Sequence, residues 1–273
     1  MKLIRFSSRK VYLLLTTLLA ACTTVQTTQQ GAIGVDRKQY MVVSEEDVEK
    51  SAATAYAEAL DGAIKKGALN VDAAQTTRVK AIANRLIPHT AAFRQDAVKW
   101  DWQINVQKTA DVNAYCMPGG KIMVYTGLIE KLNATDAELA AVIGHEIAHA
   151  LREHTRERVS RLYVQQVGLG VLAALSGASD AAVQLASQIT TVTFTLPHSR
   201  EQEAEADRIG LELMARAGYD PEAAVSLWQK MGKLNHSQTP AFLSTHPASD
   251  DREQELRRTI PKVQPLYEAA DKP

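Results

Sequence analysis

His145-Glu146-Ile147-Ala148-His149 places two imidazoles four residues apart, with a carboxylate beside the first. On a helix that spacing puts both rings on one face, so both can present a nitrogen to a single point. Zinc accepts imidazole nitrogens in this way and takes further ligands around them. Glu146 stands beside such a metal rather than on it. A carboxylate there can take a proton from an attacking water and hand it to a leaving amine. The chemistry suggested is metal-assisted hydrolysis of a peptide bond. Candidates for a third ligand lie in Glu203-Ala204-Glu205-Ala206-Asp207. Glu203 and Asp207 are four apart and share a helix face. One can complete a two-histidine, one-carboxylate site, and the other can accept the spare N–H of a ligand histidine. Spacing alone leaves open which does which. Glu201 and Glu205 each lie two residues from Glu203 and diverge from that face.

These residues need helices to carry them. Thr135-Asp136-Ala137-Glu138 is a capping box, and the apolar positions Leu139, Val142, Ile143 and Ile147 extend the helix it opens into the 150s. Ser199-Arg200-Glu201-Gln202 is a second capping box, opening a helix that runs to Ala217-Gly218. Upstream, Ser44-Glu45-Glu46-Asp47 starts an Ala-rich helix to about Lys66, and a further helix runs from Val71 to about Ile87, before Pro88. Two strands, 100–108 and 121–125, flank the turn cluster Met117-Pro118-Gly119-Gly120, and are expected to pair in a small antiparallel sheet. The run 167–178 is apolar but too short to span a bilayer, and reads as a buried or lid-like helix pair. Arg152, Arg156, Arg158 and Arg161, interleaved with Glu153 and Glu157, read as a solvated helix face with weak ion pairs. His154, five residues past His149, falls off the metal face and reads as a surface or packing residue. His89, His198 and His236 border helices and read as turn residues.

Composition sets the remaining limits. The chain has 273 residues with 31 Lys plus Arg against 31 Asp plus Glu, so no basic excess drives nucleic-acid binding. A charged fraction of 23% and a hydrophobic fraction of 45% exclude a disordered chain. Residues 1–10 carry Lys2, Arg5, Arg9 and Lys10, and a short apolar run follows, which is the pattern of an export signal. Leu19-Ala20-Ala21-Cys22 resembles the lipobox of bacterial lipoprotein precursors. That resemblance implies cleavage after Ala21, acylation of Cys22 and, with Thr23 next, an outer-membrane anchor facing the periplasm of a Gram-negative cell. The expected organisation is a signal peptide over 1–21, a lipidated Cys22 and flexible Thr/Gln-rich tether over 22–43, and one domain over 44–273. With Cys22 acylated, Cys116 has no disulfide partner and is expected to be buried and inert.

The segment Asn113-Ala114-Tyr-Cys-Met-Pro118-Gly119-Gly120, the His145–His149 motif, Ser199-Arg200-Glu-Gln-Glu203-Ala-Glu-Ala206-Asp207, and His246-Pro247 with Arg252 together resemble peptidase family M48, a gluzincin group. With the lipobox, the likeness is to its small periplasmic, outer-membrane lipoprotein members. The resemblance implies a mostly helical α+β, zincin-like domain with a small antiparallel sheet and one Zn²⁺ per chain between two helices. It makes His145, His149 and Glu203 the zinc ligands, Glu146 the general base and acid, and Asp207 the partner of a ligand histidine. His246 takes one of two roles: a donor to the oxyanion, or an extra ligand that closes the site until substrate displaces it. Asn113-Ala114 is expected to pair with the strand 121–125, and an edge strand beside the zinc helix would receive peptide as an added strand. The expected substrates are unfolded, damaged or misassembled envelope proteins, the partners those proteins and the membrane, and possible contacts include outer-membrane protein assembly machinery. A protease-like chaperone or assembly factor that cleaves rarely is the alternative, and no nucleic-acid partner is expected.

Overall fold

The computed structural model describes residues 23–170, 181–234, 240–247 and 251–273. The signal segment and Cys22 lie outside them, as do His236 and most of the apolar run 167–178. Among the described residues no helix is long and apolar enough to cross a membrane.

The chain opens with strands β1 (Thr23–Val25) and β2 (Gln39–Met41), then helices α1 (Glu45–Lys65) and α2 (Ala73–Leu86). Strands β3 (Gln103–Gln107), β4 (Ala114–Met117) and β5 (Lys121–Tyr125) follow, then the short helix α3 (Thr126–Lys131). The remainder is helical: α4 (Asp136–Leu151), α5 (His154–Gly170), α6 (Ala181–Phe194), α7 (Arg200–Arg216), α8 (Glu222–Gly232), α9 (Ala241–Thr245) and α10 (Arg252–Ala269). The mostly helical α+β class therefore holds.

The sheet differs from expectation in its pairing. Its order is β3-β5-β4, with β3 parallel and β4 antiparallel to β5. The reason is strand β4, which carries the pairing of Asn113-Ala114 with 121–125 on through Met117. The Gly119-Gly120 turn folds β4 tightly back onto β5, with φ of 74° and 81° at the two glycines. That leaves β5 its other edge, which β3 enters in the same direction. Alternation along these strands feeds two cores. Ala114, Cys116, Ile122 and Val124 join the main core with α2, α4 and α7. Tyr115, Met117 and Met123 face Val48, Ala52 and Tyr56 of α1 and Ile189 and Val192 of α6. Burial on both faces accounts for the continuous apolar character of β4 and β5.

Helix α4 is the centre of the molecule, buried at every residue from Glu138 to Leu151. Both capping boxes form: Thr135 Oγ1 accepts from Glu138 N at 3.2 Å, and Ser199 Oγ accepts from Gln202 N at 3.2 Å. They start α4 and α7 at defined residues, which fixes the phase of each helix's functional face. The two helices touch backbone to backbone at Gly144 and Gly210. A Cβ on Gly210 would lie 2.7 Å from the His145 amide nitrogen.

Two further expectations are corrected. Residues 23–43 are not a flexible tether but a strap across the domain. β1 pairs antiparallel with β2, and Ile33, Val35 and Met41 are buried. Glu212 Oε2 accepts from the Ala32 and Ile33 amides at 2.7 and 3.2 Å. A few apolar side chains and well-placed polar partners suffice to dock a Thr/Gln-rich stretch. Second, the Arg/Glu cluster is not on one solvated face of a continuous helix: α4 ends at Leu151, Glu153 adopts φ 49°, turning the chain before α5 begins at His154, and the cluster is largely buried. Arg152 has no exposed surface, and Glu157 is 4% and Arg158 7% exposed. Their partners come from residues distant in sequence, above all Arg37 of the strap.

Candidate active site

Helix α4 presents His145 and His149 one turn apart, and α7 presents Glu203 opposite them. The two Nε2 atoms face each other at 3.0 Å. Glu203 Oε1 lies 3.4 Å from His149 Nε2, and its Oε2 lies 3.6 Å from His145 Nε2. His246, just past α9, adds its Nδ1 at 3.2 Å from His145 Nε2 and 2.9 Å from Glu203 Oε1. The ligand atoms of these four buried residues all lie within 4.8 Å of one another.

The chemistry of this donor set fits a metal ion. Asp207 Oδ1 sits 3.0 Å from His145 Nδ1 and accepts its proton, leaving a lone pair on His145 Nε2. The same holds for His149, whose Nδ1 is engaged by His154 at 2.8 Å. Two imidazole lone pairs then converge beside a carboxylate, with no proton between them. A metal cation satisfies that arrangement.

Charge and burial divide these groups. Burial would raise Glu203, but His246 and His149 beside it hold it well below the usual carboxylate range. Burial holds His149 well below an ordinary histidine. Burial also opposes protonation of His246, yet Glu203 and Glu146 raise it above its ordinary value. Glu146 behaves oppositely to Glu203. Burial raises it, and although a backbone N–H of Cys116 on β4 reaches its carboxylate, Oε1 accepts no hydrogen bond. Its nearest cation partner is His246 Nε2, 3.4 Å away. A buried carboxylate with an unused oxygen and a raised pKa is suited to accept a proton. Cys116 is buried and unpaired, and burial pushes its thiol well up, as expected of an inert cysteine.

Arg252 of α10 orders the α7 side of the site. Its Nη1 donates to Glu203 Oε2 at 2.9 Å and its Nη2 to Asp207 Oδ1 at 2.6 Å, while the guanidinium stacks 3.4 Å over the Trp228 ring. Arg252 thus holds both carboxylates at once.

The structure brings together His145, Glu146, His149, Glu203, Asp207 and His246. Cys22 is outside the described residues. Sequence reasoning passed over His154 and Glu205. His154 has no exposed surface, and its Nε2 lies 3.0 Å from Glu205 Oε2. A continuous α4 would have turned it about 140° from His149. The break at Glu153 returns it. His198 stands beside them, its ring centroid 4.1 Å from that of His149, with Arg158 Nη1 3.1 Å from its Nε2. The available signal was its position one residue before the cap of α7. His89 lies in a short 3₁₀ turn over 87–92.

Residues 73–260 match the family model described as "Peptidase family M48". The mitochondrial metalloendopeptidase OMA1 of Arabidopsis thaliana is 37% identical over 165 residues, covering 60% of this chain and 32% of that protein. Metalloprotease YcaL of Escherichia coli is 30% identical over 156 residues, covering 57% of this chain and 61% of YcaL. Metalloprotease LoiP of Escherichia coli is 33% identical over 159 residues, covering 56% of this chain and 60% of LoiP. The chain spans about a third of the Arabidopsis relative and 51% of the Saccharomyces cerevisiae OMA1. The match takes in all six clustered residues, and this chain belongs to peptidase family M48.

Proposed function

We propose that this protein is a zinc-dependent endopeptidase. The observation that carries the reading is the convergence of His145, His149 and Glu203 around one point, with Glu146 beside them and its Oε1 free. His145, His149 and Glu203 hold the metal, and Asp207 fixes the His145 ring. Zinc, when bound, polarises a carbonyl and lowers the pKa of water. Glu146 takes the proton of the attacking water and delivers it to the leaving amine. Burial supports this by raising its pKa above the ordinary carboxylate value. β4 is the outer strand of its sheet and touches Glu146 through Cys116, so an extended peptide paired with β4 would bring its backbone to the base.

His246 is the fourth donor. Its Nδ1 points among the ligand atoms, which favours the role of extra ligand over that of oxyanion donor. The resting enzyme is then latent, and substrate displaces His246. This feature also gives weight to the rarely cleaving, chaperone-like reading. The substrates we propose are unfolded or misassembled proteins of the cell envelope, reached by a chain anchored at the outer membrane through acylated Cys22.

The test compares wild type with Glu146→Gln on casein, with zinc measured in both. Cleavage by wild type alone at equal zinc content is expected. Equal cleavage by the two would reject Glu146 as the base. His246→Ala should raise basal cleavage, whereas a large loss would return His246 to the oxyanion role.

A further inference from the structure

The ligand His149 is backed by a chain of side chains that ends on the N-terminal strap. His149 Nδ1 meets His154 Nδ1 at 2.8 Å, and His154 Nε2 meets Glu205 Oε2 at 3.0 Å. Glu205 is gripped by two guanidinium groups. Arg37 donates Nε to Oε1 at 2.8 Å and Nη2 to Oε2 at 3.0 Å. Arg152 donates to both oxygens at 3.2 Å. Arg37 also forks onto Glu157 at 2.6 and 2.9 Å, and the Arg37 carbonyl accepts from Arg152 Nη2 at 2.9 Å. Gln39 of β2 closes the arrangement, donating to the Arg152 carbonyl at 2.7 Å and to Glu157 at 3.0 Å.

Only one proton arrangement lets His149 serve a metal. Its Nε2 must be bare, so Nδ1 carries the proton and donates it to His154 Nδ1. His154 must then carry its own proton on Nε2, where a carboxylate has to accept it. Glu205 is that carboxylate, and two arginines keep it ionised and aimed. The His149–His154 and His154–Glu205 hydrogen bonds therefore both run outward from the metal position and end on Glu205, which Arg37 and Arg152 meet as donors from the other side.

We propose that His154, Glu205 and Arg37 are positioning residues of the metal site, and that the N-terminal strap, through Arg37, sets the tautomer and orientation of His149. This rests on the metal reading above. It makes the strap a working part of the site: undocking residues 37–39 would loosen a ligand on the opposite side of α4.

The test uses the full chain with His154→Leu, His154→Asn and Arg37→Met. Leu and Asn have nearly the same shape, but only Asn offers an acceptor near the Nδ1 position. Zinc affinity is read by competition with a chelator, apo stability by thermal unfolding, and the His149 tautomer by imidazole ¹⁵N spectra of the metal-free protein. His154→Leu should weaken zinc binding about 10–100-fold. It should also move neutral His149 toward the Nε2–H tautomer; apo stability should fall in His154→Leu and His154→Asn alike, since both take a partner from Glu205, so the difference in zinc affinity between the two does not follow stability. His154→Asn should retain affinity within about threefold of wild type, and Arg37→Met should weaken zinc about tenfold. A pure packing role predicts the reverse order, since a fully buried site tolerates Leu better than Asn. Leu matching wild type in zinc affinity, or Asn falling below Leu, would overturn the proposal. Wild type taking up no zinc would instead sink the metal reading, and the tautomer spectra would still judge the chain. Should His154→Leu fail to fold, Arg37→Met carries the same affinity and tautomer readouts.

Discussion

Gly210→Ala should lower both stability and metal affinity, although alanine is the better helix former. The added methyl would lie 2.7 Å from the His145 nitrogen, 3.0 Å from the Gly144 carbonyl carbon and 3.0 Å from the His145 Cα. These are backbone atoms of a fully buried helix, so no side chain can swing aside. Relieving the closest contact requires α4 and α7 to part by roughly 0.8 Å, because non-bonded carbon and nitrogen atoms settle near 3.5 Å. Helix propensity returns about 1 kcal/mol, and overpacking costs about 1–3 kcal/mol. The net is a loss of up to about 2 kcal/mol, or a fall in Tm of up to about 8 °C for a domain of this size. The same separation moves His145 away from Glu203, whose carboxylate belongs to α7. Misplacement of about 1 Å at a reacting centre costs about 100-fold, so a displacement of about 0.8 Å should reduce casein cleavage about 40-fold and weaken zinc comparably. Gly62→Ala is the control. Gly62 lies in α1, and a methyl added there would meet nothing within 4 Å, so the variant should gain up to about 1 kcal/mol and leave zinc affinity alone. Thermal unfolding of the apo proteins and chelator competition measure both variants. If Gly210→Ala stabilises as Gly62→Ala does, with zinc affinity unchanged, close backbone approach at this crossing does not set the site.

The acid limb of stability should reflect the strap. Burial alone would raise Glu157, but Arg37, Gln39 and Gln202 bring it down to about 2; Glu205 is likewise brought to about 2 by His154 and Arg37. Both folded values lie below the ordinary carboxylate range, so this stabilisation is complete above roughly pH 4.5 and is lost as pH falls toward 2. Arg37→Met should move the acid-unfolding midpoint of the metal-free protein upward, and an unshifted midpoint would contradict the pairing. Stripping the metal should lower Tm as well as abolish cleavage: at free zinc near 100 times its Kd, binding adds about 2.7 kcal/mol, or about 5–10 °C. Calorimetry with and without a chelator would check this, and coincident transitions would argue against a metal in the fold. Arg152→Met should cost about 3 kcal/mol by leaving buried Glu205 with one guanidinium instead of two, measured by urea unfolding.

What could be read from sequence is what local geometry determines. His145 and His149 share a face because helical phase alone puts them there, and the Thr135 and Ser199 caps set that phase. Glu203 and Asp207 were visible as a pair for the same reason, though their separate roles emerge only from contacts with His149, His145 and Arg252. Strand β4 was legible only at Asn113-Ala114, because it is four residues long and runs into its own turn, and without its full length the direction of β3 could not be assigned. The larger omission concerns charge. Alternating arginines and glutamates after His149 look the same whether water or protein surrounds them. The difference lies in Arg37, which is 120 residues from Glu157 and 168 from Glu205 in sequence. A buried carboxylate is stable only with its partner in place, so the burial of α5's first turn and the docking of the strap are one event. The left-handed turn at Glu153 belongs to the same event. It brings His154 under His149, where the buried charges can reach it, and so ties the polar interior to the metal-binding face of α4.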